Sequence, residues 1–118
     1  MTLYQWNQIR LEKLNEQLSR KVISGKNIML AQVFLKKGCV VPAHKHDNEQ
    51  MTYILEGCLK LQLPDGEVTV REGEVLHIPS GIEHSAVALE ETLDVDIFSP
   101  IREDWLTGKD DYLRKQQK

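Results

Sequence analysis

A chain of 118 residues with a formal charge of −3 and 41% hydrophobic residues has the size of one domain and enough apolar content to fold. Such a domain buries roughly two-thirds of its unfolded surface, which supports one core and excludes a disordered chain. Its 15 Lys and Arg against 18 Asp and Glu leave no cationic excess for a nucleic-acid backbone, and no apolar run approaches the roughly 20 residues that cross a bilayer. No charged-then-apolar leader precedes the first turn, so a soluble, cytoplasmic protein with no nucleic-acid or membrane partner is expected.

In chain order, Leu11, Leu14 and Leu18 recur at i, i+3 and i+7 within a charged stretch and predict a short N-terminal helix. Residues 28–35 form an apolar run ended by Lys36-Lys37-Gly38, and residues 51–55 form another that ends at Glu56-Gly57. Leu59, Leu61 and Leu63 alternate with Lys60 and Gln62, the period-2 pattern of a half-buried strand. Pro64-Asp65-Gly66 is a tight turn, Val68 and Val70 resume the alternation, and Glu72-Gly73 turns it again. Residues 75–78, 85–89 and 93–98 follow as further strands. After Pro100, residues 102–106 predict a helical turn with Gly108 as its stop, and the basic tail 114–118 is expected to be solvated or frayed. Short strands at regular spacing with Gly, Pro and Asp turns predict an all-β sandwich or barrel. No repeat, linker or low-complexity segment interrupts residues 1–118, which read as a single domain.

Cys39 and Cys58 make no C-x-x-C and no disulfide framework, so they read as two small, partly buried thiols. Cys39 stands five residues before a histidine pair, which leaves a reactive or metal-bound thiol as the alternative. Met29 and Met51 sit in apolar runs and read as core.

His44 and His46 are one residue apart, so on a strand both rings project from the same face. Gln50 keeps that parity, and His84 arrives just after Pro79-Ser80-Gly81. Imidazoles with an amide oxygen make a mixed N/O site suited to one divalent first-row metal, although an H-x-H taken alone is also compatible with a surface pair. A neutral Gln ligand leaves more positive charge at the site than a Glu would, which favours an anionic substrate. Glu49 has the opposite parity, and His77 lies inside a predicted strand and reads as a satisfied structural histidine.

The residues Gly38-Cys39-Val40-Val41-Pro42-Ala43-His44-Lys45-His46, then Gln50 and Gly57, resemble the first motif of the cupin superfamily (38–57). Gly73, Pro79, Gly81 and His84 resemble the second (73–88), with two departures: Gln50 replaces the usual Glu ligand and Ala88 the closing Asn. The resemblance implies a cupin-type jelly-roll barrel of two antiparallel sheets, with short helical segments at the termini. It also implies one divalent transition metal (Ni, Zn, Mn or Fe) on His44, His46, Gln50 and His84. Gly38, Gly57, Gly73 and Gly81 then fall at strand ends, where a positive φ or a close backbone approach is needed.

Residues 93–98 alternate strictly: Asp94, Asp96 and Phe98 on one face, Val95 and Ile97 on the other. Periodicity alone turns the aspartates outward, with Phe98 the one discord. The stretch 94–106, together with Arg20-Lys21-Val22-Ile23-Ser24-Gly25, resembles a narrower group, the small cupins of pectin and alginate breakdown that ketonise 4,5-unsaturated monouronates. That resemblance implies Asp96 and Arg102 as catalytic residues and Phe98 with Arg102 as substrate contacts. The expected ligand is a small anionic molecule, a sugar acid. An iron-dependent cupin dioxygenase and a non-catalytic sensor of a sugar acid or anion remain as alternatives. A homodimer is also expected. If Gln50, Thr52 and Ile54 face inward, Met51, Tyr53 and Leu55 face outward, and a strand apolar on both faces needs a cover on both.

Overall fold

The computed structural model describes residues 1–114. Ten strands form two antiparallel sheets. The strands are β1 (Glu12–Asn15), β2 (Leu18–Ser24), β3 (Met29–Leu35), β4 (Val40–His44), β5 (Glu49–Glu56), β6 (Cys58–Leu63), β7 (Gly66–Arg71), β8 (Val75–Ile78), β9 (His84–Ala88) and β10 (Thr92–Ser99). One sheet has the order β1-β2-β3-β10-β5-β8 and the other β4-β9-β6-β7. Inward side chains of both sheets, among them Met29, Ala31, Ile54, Leu59, Leu61 and Phe98, meet in one core. This is the expected jelly roll. A 3-10 turn (Trp6–Gln8) opens the chain, and α1 (Glu103–Leu106) and α2 (Asp111–Arg114) close the described part.

The four expected glycines all carry positive φ. Gly57 shows why most plainly: a Cβ there would run into Glu91 O and the Thr92 side chain, because β5 turns into β6 directly against the start of β10.

Several expectations are corrected. The leucines of the N-terminal stretch form no helix; the chain there is the β1–β2 hairpin, with Leu14 and Leu18 both turned into the core and Leu11 exposed. Helical spacing was satisfied across a hairpin turn, and pairing of β2 with β3 over its whole length decided the outcome. Met51 lies on the outer face of β5, 39% exposed, and is not core. On β10 it is Asp94, Asp96 and Phe98 that face inward and are buried, while Val95 and Ile97 lie half-buried on the outer face.

Cys39 and Cys58 are unpaired and buried. Burial pushes the Cys39 thiol up to about 11, so it is protonated at neutral pH, and it is not part of the cluster formed by His44, His46 and His84. The predicted turn of residues 102–106 is realised as α1. Arg114, expected in a frayed tail, belongs to α2 and bonds Glu12 and Asp110; residues 115–118 lie outside the described part. Among the described residues, no helix is long and apolar enough to cross a membrane.

Candidate metal centre and its pocket

His44 ends β4 and His84 begins β9, and the two strands pair with His44 opposite His84. His46 follows β4, and Gln50 enters from β5 in the other sheet. Each imidazole is oriented by a nearby carbonyl: His44 Nδ1 by Pro42 O at 2.8 Å, His46 Nδ1 by Asn48 O at 3.0 Å, and His84 Nδ1 by Ile82 O at 2.8 Å. A carbonyl can only accept, so each Nδ1 carries its hydrogen and each Nε2 keeps its lone pair. The ligating atoms of the three rings lie within 4.8 Å of one another, a cluster able to hold a metal ion. Desolvation brings His44 and His46 down to about 4, with the Arg102 charge adding to it, and lowers His84 as well. All three are therefore neutral, the state a metal requires, at pH 7.

Two further observations fit a cation. His84 Nε2 is buried with no hydrogen-bond partner. In addition, His46 Nε2 lies 3.0 Å from Gln50 Oε1. The Gln50 amide is held in this orientation, because its Nε2 donates to Thr52 Oγ1 at 2.8 Å and towards Asp96 Oδ1 at 3.4 Å, and turning it would set Oε1 against that carboxyl. Two acceptors thus face each other at hydrogen-bond distance with no hydrogen between them. A cation shared by both lone pairs removes the repulsion.

Thr52 completes a chain behind this contact: it accepts from Gln50 and donates to Asp96 Oδ1 at 3.0 Å. Burial raises Asp96 above the usual carboxylate range, with Asp94, Thr52 and the Arg102 charge acting against it. Burial raises its neighbour Asp94 well above that range, and the nearby Asp96 adds to the effect. Phe98 lies edge-on to His46, with ring centroids 5.8 Å apart, and the Arg102 guanidinium sits 5.0 Å over the Phe98 ring. Arg102 is buried, but its fork is already engaged. Nε and Nη2 donate to Asp104 at 3.0 and 2.8 Å, and Nη2 also donates to Tyr112 Oη at 2.8 Å.

The structure thus brings His44, His46, Gln50, His84, Asp96, Phe98 and Arg102 to one end of the barrel. Glu49 and His77 stay out of it: they pair with each other at 2.7 Å on the outer face. The sequence reading turned Thr52 inward and included Asp104 in the stretch 94–106 but gave neither a role in the site, and it did not single out Tyr112. Thr52 was legible from its parity with Gln50, whereas nothing local marks Tyr112. Behind the histidines lies an interior cavity of about 60 Å³ lined by Asp94, Asp96, Thr52 and Trp105, room for a water or two. A larger groove of about 580 Å³ runs over the outside, between β1 and the start of β10, and contains none of these groups.

A family model for the cupin domain matches residues 31–99, more than half of the chain. The chain belongs to the cupin family. No curated protein matches this cupin. Among solved structures, it resembles KdgF from Halomonas sp. with a TM-score of 0.82 and 25% identity, over 88% of this chain and 99% of the other. An RmlC-like cupin from Shewanella frigidimarina NCIMB 400 gives a TM-score of 0.83 at 24% identity, over 89% and 96%. A variant of oxalate decarboxylase from Bacillus subtilis gives 0.76 at 20% identity, over 88% of this cupin and 32% of that chain. The last two likenesses concern the fold alone.

Proposed function

We propose that this cupin is a metal-dependent enzyme that opens and ketonises a 4,5-unsaturated monouronate or isomerises a related sugar acid. The observation that carries the reading is the convergence, at one barrel end, of a neutral histidine cluster, a buried carboxyl on Asp96 and the fixed cation of Arg102. Likeness to KdgF from Halomonas sp. supports this reading, as does the resemblance of the stretch 94–106 to the small cupins that ketonise unsaturated monouronates.

His44, His46, His84 and Gln50 are the proposed ligands. A divalent ion there would supply Lewis acidity towards a substrate oxygen without redox change. Arg102 attracts the substrate carboxylate. Because Asp104 fills one edge of its fork, the free Nη1 edge makes that contact. Phe98 packs beneath the guanidinium and keeps it from sinking into the barrel. Asp96, held by Thr52, moves a proton from hydroxyl to carbon as the enol becomes a ketone. The interior cavity of about 60 Å³ is smaller than a sugar acid, so the body of the ligand lies at the mouth and only its reacting end points inward.

Metal-loaded protein is expected to accelerate the loss of the conjugated enol-ether absorbance of an unsaturated monouronate. No acceleration over buffer removes this reading and returns the chain to the dioxygenase or sensor alternatives.

The same proposal includes a homodimer through the outer face of the six-stranded sheet. Across β10, β5 and β8 that face carries Ile97 beside Met51 and Val95 beside Tyr53 and Val75 in register, with Tyr53 36% and Val75 55% exposed. The N-terminal stretch, which as a helix could have covered this face, is instead paired at the sheet edge as β1 and β2. A second copy related by a two-fold axis is the simplest cover. Sedimentation at micromolar concentration should give twice the chain mass, and Tyr53→Glu should give a monomer. A monomer for the unmodified chain contradicts this arrangement.

A further inference from the structure

Tyr112 stands between the two groups that the proposed function assigns to the ligand. Its ring stacks on His44, with centroids 4.5 Å apart and planes 30° apart, and its Oη accepts from Arg102 Nη2 at 2.8 Å. Any molecule that reaches both the histidine cluster and Arg102 therefore lies against this side chain. The hydroxyl has a hydrogen still to give: towards Arg102 and Trp105 it is the acceptor, and among the described residues no acceptor takes its proton.

Its position is built, not incidental. Just before Tyr112, Asp110 is fully buried and bonded to Arg20 at 2.6 Å and to Arg114 at 2.9 Å. Just after it, Leu113 O accepts from Asn15 Nδ2 at 2.8 Å, and Arg114 donates to Glu12 at 2.8 Å. The flanking contacts tie the short helix α2 to the β1–β2 hairpin, so the phenol is presented at the mouth by ordered chain.

From this geometry we infer that Tyr112 is a ligand-binding residue that donates a hydrogen bond to an oxygen of a carboxylate or sugar acid held between the histidine cluster and Arg102. The inference rests on the proposed function for the identity of the ligand, and on the contacts above for the role of the residue. Asp104 and Tyr112 then divide the work around Arg102. Asp104 fixes the guanidinium plane, and Tyr112 adds a neutral donor beside it, favouring ligands with an acceptor oxygen at that place.

Tyr112→Phe tests it, because the variant keeps the ring on His44 and loses only the O–H. In Ni²⁺-loaded protein, calorimetry with D-galacturonate, a uronate that lacks the reactive double bond, should show Kd raised about tenfold or more, the worth of a hydrogen bond to a charged acceptor. Metal content should be unchanged, and KM for the unsaturated monouronate should rise with kcat within about threefold. A Kd within about twofold of the unmodified protein overturns the inference while leaving the proposed function standing. If the unmodified protein neither binds D-galacturonate nor turns over the monouronate, the proposed function fails, and acetate titrated against the Ni²⁺ absorption band decides the residue's role alone. Acetate weakened about tenfold by Tyr112→Phe upholds that role. Acetate bound equally well by both proteins, or by neither, overturns it.

Discussion

Asp96→Asn is expected to abolish turnover of an unsaturated monouronate, by roughly 10²–10⁴-fold, while leaving the bound metal in place. The substitution is nearly isosteric, and an Asn Oδ1 still accepts from Thr52 and Gln50, so the chain that orients the Gln50 amide survives. What disappears is the carboxyl proposed to take a proton from a hydroxyl and return it to carbon. Arg102→Ala differs in kind: it removes the cation proposed to gather the anionic substrate and should act mainly on KM. Turnover of the Asn variant close to that of the unmodified protein, at equal metal content, contradicts the assignment of Asp96.

The second large effect concerns stability. Arg20 is fully buried, with Nη1 on Asp110 at 2.6 Å, Nε on Glu12 at 2.9 Å and its guanidinium 4.2 Å over the Trp105 ring. Asp110 is fully buried as well. Arg20→Ala leaves that carboxylate with Arg114 as its remaining cation and opens a cavity beneath Trp105. Breaking such a buried pair costs about 3–5 kcal/mol, a large part of the stability of a domain this small. Urea unfolding of metal-free protein reads the difference without a contribution from metal binding. The Arg114→Ala change, at a half-exposed partner of the same network, should cost far less. A loss below about 1 kcal/mol for Arg20→Ala contradicts this account of how the C-terminal segment is held.

Where side-chain alternation and turn chemistry act alone, the strands could be read directly from the sequence: β6 and β7 follow the Leu59-Leu61-Leu63 and Val68-Val70 pattern around a Pro-Asp-Gly turn. On β10 the period was legible, but its direction was not. Hydrophobicity assigns Asp94 and Asp96 to solvent, whereas the fold turns both inward: Asp96 is held there by Thr52 with the Arg102 charge nearby, and Asp94 Oδ1 is buried without a hydrogen-bond partner among the described residues. The N-terminal leucines mislead for a related reason, since Leu14 and Leu18 share a face only because a hairpin folds between them. His44, His46, Gln50 and His84 were singled out by spacing and motif. Tyr112 reaches His44 only through bonds such as that between Arg114 and Glu12, separated by 102 positions, and no local pattern encodes such a contact.

Elemental analysis of purified protein tests the central claim most directly, with the His44→Ala/His46→Ala double variant alongside. One divalent transition-metal ion per chain in the unmodified protein and none in the folded double variant is the predicted result. Equal metal content in the two proteins contradicts a metal centre on these histidines.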